Sequence, residues 1–292
     1  MSISVNWGNP YANRNGIWYR GNLHAHTSPA SGCGQVKIER VLELYEQKGL
    51  DFLSISDHMV LTEPPNTKLI MIPGTEWNSI AGEHTGIYTT NLDLIRSSLA
   101  IRSHEELLKH LKDKNALVIL NHPNWEILPH YRREQLEQKD NYDAIEIYNG
   151  VIERLAGYAI STDKWDYCLV KNKRVLGFAS DDSHQESDIG EAWNCVRAAE
   201  PTPKSILNAL RTGNFYCSTG VSFSDIRMED GIITVESDNA QEIRVDTERG
   251  IFRRSREKSM QLNVAEVLDF ERKTQESVKG SPWEALFKNW IT

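Results

Sequence analysis

Residues 21–27 read GNLHAHT and residues 175–184 read VLGFASDDSH: two short apolar runs, each ending in side chains able to bind a divalent ion. His24 and His26 close the first, Asp182 and His184 the second. Imidazole nitrogen and carboxylate oxygen are the usual protein donors to first-row divalent metals. On extended backbone, residues i and i+2 point to the same side, so His24 and His26 can reach one ion. The same placement recurs between these two stretches. His58 closes LDFLSISDH, Glu76 follows LIMIP, and His122 closes ALVILNHP. A single histidine after a strand usually only meets solvent. Ligands repeated around a βα alternation can converge, because parallel strands send their C-terminal ends to one face. His84, eight residues after Glu76 in AGEHTGIY, sits at a strand start or in a tight loop and adds a further candidate.

The alternation itself spans Ile17 to about Gly220. A first strand ends at Leu23. QVKIERVLELYEQKG follows with Val36, Val41, Leu42 and Tyr45 near helical spacing and Gly49 as its stop. Residues 52–56, 69–72, 116–120, 144–148 and 175–179 read as strands, and HTGIYTT alternates like one. SHEELLKHLKDKN has Ser103 three residues before Glu106, a capping-box pattern at a helix start. STDKWDYCLVKNK and TPKSILNALRTGN are further helices, the latter between the strand-like WNCVRA and FYCSTG. Strands alternating with helices imply an α/β fold with a mostly parallel sheet. Ligands from so many strand ends favour a closed or nearly closed barrel over an open sheet, where they would gather at one switch point. After Gly220 the texture changes: GIITVES and QEIRVDT are short strand candidates, and MEDG and TERG are turns. A small β-rich domain over 221–292, appended to a metal-binding domain over 1–220, is the expected organisation.

Composition narrows the function. The net charge of −8 argues against nucleic-acid binding through a basic face. It leaves room for a phosphorylated substrate, since bound cations supply local positive charge. A small phosphorylated or ester substrate is therefore expected, with no long nucleic acid and no membrane partner. The four cysteines, Cys33, Cys168, Cys195 and Cys217, form no CxxC pair and read as reduced thiols of a cytoplasmic protein. No signal-peptide pattern opens the sequence and no apolar run approaches the roughly 20 residues needed to span a bilayer.

The remaining histidines serve as controls. His104 and His110 lie six residues apart on one helix and so on different faces, and His130 follows Pro129 in a loop-like stretch. None of the three is expected to bind metal. Asp57 and Asp181 each precede a candidate ligand and point away from it, as carboxylates that orient ligands commonly do. Glu146 and Asn149, at the end of AIEIYNG, should reach the same rim.

Taken together, LHAHT, ISDH, PGTEW, NHP and SDDSH resemble, in order, the motifs of the PHP (polymerase and histidinol phosphatase) family over residues 17–220. The resemblance implies a distorted (β/α)7 barrel with two or three divalent ions, Mn, Zn or Fe, at the strand C-termini. It implies that His24, His26, Glu76 and Asp182 surround one ion and that His58 and His184 hold another. Glu76, His84 and His122 would complete the cluster, with His24, His26, Glu76 and His184 serving catalysis. GNFYCSTG and the closing SPWEALFKNWIT look like a branch of the family with a C-terminal β-rich extension, which contains predicted phosphoesterases and relatives that hydrolyse carbamate esters. One departure stands out. Many members carry an Asp in the loop after HxHT, where this chain runs SPASGCG and offers Ser31 or Cys33.

The chemistry so implied is hydrolysis of a phosphoester by a metal-bridging water, whose pKa coordination lowers from roughly 15.7 to about 7. The same centre could attack a carboxylic or carbamic ester, and a non-catalytic metal-stabilised scaffold is the third alternative.

Overall fold

The computed structural model describes residues 11, 15–127, 131–171, 173–247 and 250–284, so His130 and the end of SPWEALFKNWIT lie outside the described residues. The chain divides into two compact units, the first being Asn15–Thr219, with the residues from Gly220 onward in the second.

The first unit begins with β1 (Ile17–Asn22), α1 (Ile38–Gln47), β2 (Phe52–Leu53), β3 (Ile70–Met71), β4 (Gly74–Asn78) and β5 (His84–Tyr88). It continues with α2 (Leu92–Ser98), α3 (His104–Leu111), β6 (Leu117–Leu120), α4 (Arg133–Gln138) and β7 (Ala144–Asn149). It ends with α5 (Thr162–Val170), β8 (Leu176–Ser180), β9 (Trp193–Ala198), α6 (Pro203–Arg211) and β10 (Phe215–Ser218). Local chemistry explains the helix limits. Val41, Leu42 and Tyr45 form the buried face of α1, and Gly49 follows its end with φ +72°, a conformation glycine adopts without steric cost. Ser103 caps α3 by accepting from the Glu106 N–H, and Thr202 caps α6 by accepting from Ser205 N–H ahead of Pro203.

The strands form two five-stranded sheets, β10-β9-β1-β2-β3 and β4-β5-β6-β7-β8. This corrects the expectation of a closed, largely parallel barrel. The sheets are open and mixed: β1–β2–β3 and β6–β7–β8 pair in parallel, while β4–β5, β5–β6, β1–β9 and β9–β10 are antiparallel. The reason is local. Only Ser79–Glu83 separate β4 from β5, with Gly82 at φ +102°, and so short a link permits a hairpin but not a parallel crossover. Among the described residues the bridges between the two sheets are isolated parallel ones, Ala25 with Ser183 and His58 with Glu76, and the Asn194 side chain adds hydrogen bonds to the Ala179 backbone. The largest of five apolar clusters nevertheless draws on both sheets, with Phe52, Tyr88, Ile119, Phe178 and Phe215 among its members.

Several boundaries also shift. The strand expected over 52–56 pairs only at Phe52–Leu53, and β1 ends one residue early, at Asn22. Glu76 does not trail the strand that precedes it: after Pro73 the chain resumes as β4, with Glu76 at its centre.

The second unit contains β11 (Asp225–Glu229), β12 (Ile232–Glu236), β13 (Ile243–Thr247), β14 (Gly250–Ser255), β15 (Ser259–Asn263) and α7 (Val264–Val278). β11, β12 and β15 make an antiparallel sheet, and β13 and β14 a hairpin. The 15-residue α7 was not expected in a β-rich segment. None of its residues is buried, so the apolar periodicity that reveals most helices is weak there, and the Asn263 side chain accepting from Ala265 N–H marks its start. Among the described residues no helix is long and apolar enough to cross a membrane, and all four cysteines are free thiols.

Candidate metal centre

The first unit gathers every candidate ligand at one place. His24 and His26 follow β1, His58 follows the irregular Ser54–Asp57 after β2, His122 follows β6, and Asp182 and His184 follow β8. Glu76 enters from the middle of β4 and His84 from the start of β5. The two isolated bridges lie among these residues: His26 N–H donates to Ser183 O and Met59 N–H to Glu76 O, each at 2.9 Å. The ligands thus converge along the seam where the sheets meet.

Their donor atoms face one another. His24 Nε2 lies 3.1 Å from His26 Nε2, 3.3 Å from Glu76 Oε2 and 3.1 Å from Asp182 Oδ1. His26 Nε2 lies 3.2 Å from Glu76 Oε2 and 3.1 Å from Asp182 Oδ1. Four donors bound about 2.05 Å from one tetrahedral ion stand about 3.3 Å from each other. These spacings therefore fit a divalent ion. Asp182 Oδ1, buried, receives no well-aligned hydrogen bond despite its two imidazole neighbours. A buried anionic oxygen so placed is costly without a cation. Glu76 also turns its other oxygen elsewhere: Oε1 lies 3.1 Å from His84 Nδ1 and 3.1 Å from His122 Nε2, while Oε2 stands 3.1 Å from His58 Nδ1. One carboxylate thus faces two sets of histidines.

Groups behind the donors fix their orientation. His24 Nδ1 donates to Glu146 Oε1 at 2.7 Å, leaving the Nε2 lone pair for the centre. Glu146 is itself held by His122 N–H at 2.7 Å, by Asn149 Nδ2 at 2.8 Å and by the Ser180 hydroxyl. Sequence reasoning brought Glu146 and Asn149 to the rim but assigned them no contact. Ser31 Oγ lies 3.1 Å from His26 Nδ1 and accepts from His58 N–H at 3.0 Å. Asp57 turns away and accepts from Thr27 and Thr62, and Asp181 accepts from Tyr45 and from the N–H groups of Gly190, Glu191 and Ala192. Two of the residues brought together, His122 at φ +31° and Asp182 at φ +52°, hold the left-handed backbone that side chains with a Cβ disfavour. Such strain persists only where surrounding contacts enforce it.

Electrostatics point the same way. Burial disfavours a protonated His24, yet Asp182, Glu76 and Glu146 raise its proton affinity well above the usual range. Burial is likewise outweighed at His26, which the neighbouring Asp182 and Glu76 carboxylates raise to about 9. Glu76 and Asp182 are pushed up by burial but held well below the usual carboxylate range, chiefly by the His24 charge. His58 and His84, where burial dominates, fall below the ordinary imidazole value. A buried cluster that keeps its carboxylates ionised favours positive charge at its middle.

His104 and His110 stay away. His104 is buried against Thr85 and Lys139, and His110 lies beside Ser97 at the surface. One donor beyond the candidate set comes in: Cys33, whose sulfur lies within 4.8 Å of donor atoms of His26, His58 and His184, all mutually within that range. Its loop was noticed in the sequence for lacking a carboxylate, not for supplying a ligand. Beside the cluster is a cavity of about 60 Å³, walled partly by Trp125, Val151, Ile152 and Leu155.

Neither family profiles nor curated protein sequences match this chain. Solved structures do. A two-domain protein from Bacteroides vulgatus containing a predicted PHP-like metal-dependent phosphoesterase is 16% identical, with 85% of this chain and 84% of that one covered at a TM-score of 0.52. At so low an identity the likeness shows a shared fold and nothing beyond it. The lesion-specific endonuclease Q of Pyrococcus furiosus is 14% identical over 69% of this chain and 58% of its own, at a TM-score of 0.49. Endonuclease Q complexed with a 27-mer duplex bearing an abasic lesion at its active site is 13% identical over 70% and 58%, at a TM-score of 0.47. With a nuclease among the similar structures, the expectation that no long nucleic acid is a partner is withdrawn. A net charge of −8 does not by itself exclude a polyanionic substrate, because cations bound in a site can provide the positive field.

Proposed function

We propose that the chain is a metal-dependent hydrolase of phosphoesters, with its centre at the seam of the two sheets. The observation that carries this reading is Glu76, a buried carboxylate whose two oxygens face separate histidine sets, an arrangement suited to bridging two cations. In this reading His24, His26, Glu76 and Asp182 hold one ion, and His58, His84, His122 and His184 supply the donors for the others. Divalent ions there, Mn, Zn or Fe, would act as Lewis acids on a phosphoryl oxygen and acidify a water.

The chain's own groups do the rest. Glu146 holds His24 in the tautomer whose Nε2 points inward, and Ser31 does the corresponding service at His26 Nδ1. His184 Nδ1 donates to the Asp182 carbonyl at 2.7 Å, which leaves the Nε2 lone pair free to face an ion. Trp125 and the apolar side chains of Val151, Ile152 and Leu155 wall one side of the cluster. The cavity of about 60 Å³ has room for a few water-sized species and not for a substrate. The body of the substrate would lie in the adjoining groove of about 650 Å³, which shares Trp125 and carries Arg132 and Lys164.

The test is a hydrolysis panel on protein reloaded with Mn, Zn or Fe: phosphomonoesters, phosphodiesters, duplex DNA with and without a lesion, and carboxylic and carbamic esters. We expect phosphoester turnover that His26→Ala abolishes while the circular dichroism spectrum is kept. Turnover of carboxylic or carbamic esters alone, or a His26→Ala rate equal to wild type, would sink the proposal.

A further inference from the structure

The loop between β1 and α1 delivers a sulfur to the centre. Ser31 N–H donates to Thr27 O at 2.9 Å, Ser28 N–H to Val36 O at 2.8 Å, and Gln35 N–H to His184 O at 2.8 Å. The segment is therefore tied at both ends, and Cys33 stands between two residues that touch the histidines, Ser31 at His26 and His58 and Gln35 at His184. The His26 ring stacks on the His58 ring with centroids 4.6 Å apart and lies 4.5 Å from that of His184. His26 Nε2 is already directed at Glu76 and Asp182, so the donors left for an ion at this corner are Cys33, His58 and His184. The buried Asp182 Oδ1, short of a hydrogen bond, lies 3.6 Å from His184 Nδ1 and shows that the anionic field extends to this side.

We propose that Cys33 is a thiolate ligand to an ion shared with His58 and His184, and that it makes this position selective for thiophilic divalent ions. The proposal rests on the reading that the cluster binds metal. On binding, the S–H bond breaks, a sulfur–metal bond forms, and the proton leaves to solvent. Thiolate is a soft donor, so Zn, Co and Fe should be retained here in preference to Mn or Mg, whatever occupies the harder positions around Glu76.

The experiment uses the full chain, stripped with a chelator and titrated with Co(II). Wild type should develop a near-ultraviolet thiolate-to-Co(II) charge-transfer band beside the visible bands of histidine-bound Co(II). Cys33→Ser should lose the near-ultraviolet band, keep the visible ones and bind one ion fewer, or bind its weakest Zn roughly tenfold or more weakly. Cys33→Asp should restore the ion without the band. Cys168, Cys195 and Cys217 remain in both variants, so a band that survives Cys33→Ser belongs to one of them and overturns the proposal. Uptake of Co(II) by wild type with no such band overturns it as well, leaving the metal-binding reading intact. No Co(II) uptake at all overturns both. Cys33 is exposed, and the visible bands report directly that the rest of the centre has formed.

Discussion

His26 shows how one side chain ties acidity to stability. Burial works against its charge, yet Asp182 and Glu76 raise its pKa from 6.5 to about 9. The folded chain therefore holds this proton more tightly than the unfolded chain does. Its contribution to stability is complete below about pH 6.5 and disappears as pH rises through about 9. A metal ion competes for the same nitrogen. Chelator-treated protein should lose thermal stability between pH 7 and pH 9.5, while loaded protein should not follow that decline. Apparent metal affinity should rise across pH 7 to 9 by about tenfold per unit for each proton displaced. Isothermal titration in buffers of different ionisation enthalpy would count those protons, and an affinity flat over that range would refute the coupling.

At the scale of elements, the closeness of β1 to β2 depends on Gly21. It pairs with Phe52, and a Cβ placed on it would lie inside contact distance of the buried Phe52 ring. Gly21→Ala should cost about 1–3 kcal/mol by overpacking, a melting temperature lower by several degrees at constant metal occupancy. A melt coincident with wild type would show that the strands can part. The same elements show what the sequence made readable. Runs such as ALVIL and AIEIY gave β6 and β7 because burial on both faces leaves a continuous apolar signature. The ligands after β1, β6 and β8 were legible because a polar residue ending such a run has few structural reasons to be there. The strand carrying Glu76 was not legible: GTEWN mixes polar and apolar residues, and its pairing with HTGIY is decided by a five-residue link. Cys33 was hidden for a different reason. It belongs to no strand, and only the hydrogen bonds of its loop bring it to His184.

Across the whole first unit, the two sheets share an apolar core but only isolated backbone bridges near the ligands. Ions bound there would add bonds between sheets where the ladder supplies few. Metal removal should therefore act locally before it acts globally. Hydrogen exchange should accelerate first at the seam amides of His26, Met59 and Glu76, while Ile119 and Ile145 in the β6–β7 pair stay protected. Uniform acceleration, or none, would contradict this. The seam also governs how the centre can come into being. His24, His26 and His58 follow strands of one sheet, whereas Glu76, His84, His122, Asp182 and His184 belong to the other. The donors gathered around one position, His24, His26, Glu76 and Asp182, come from both sheets, so a nascent or partly unfolded chain would offer an ion there only a half-set. Metal bound at that position would then be a certificate of assembly, held in full only once both halves have met.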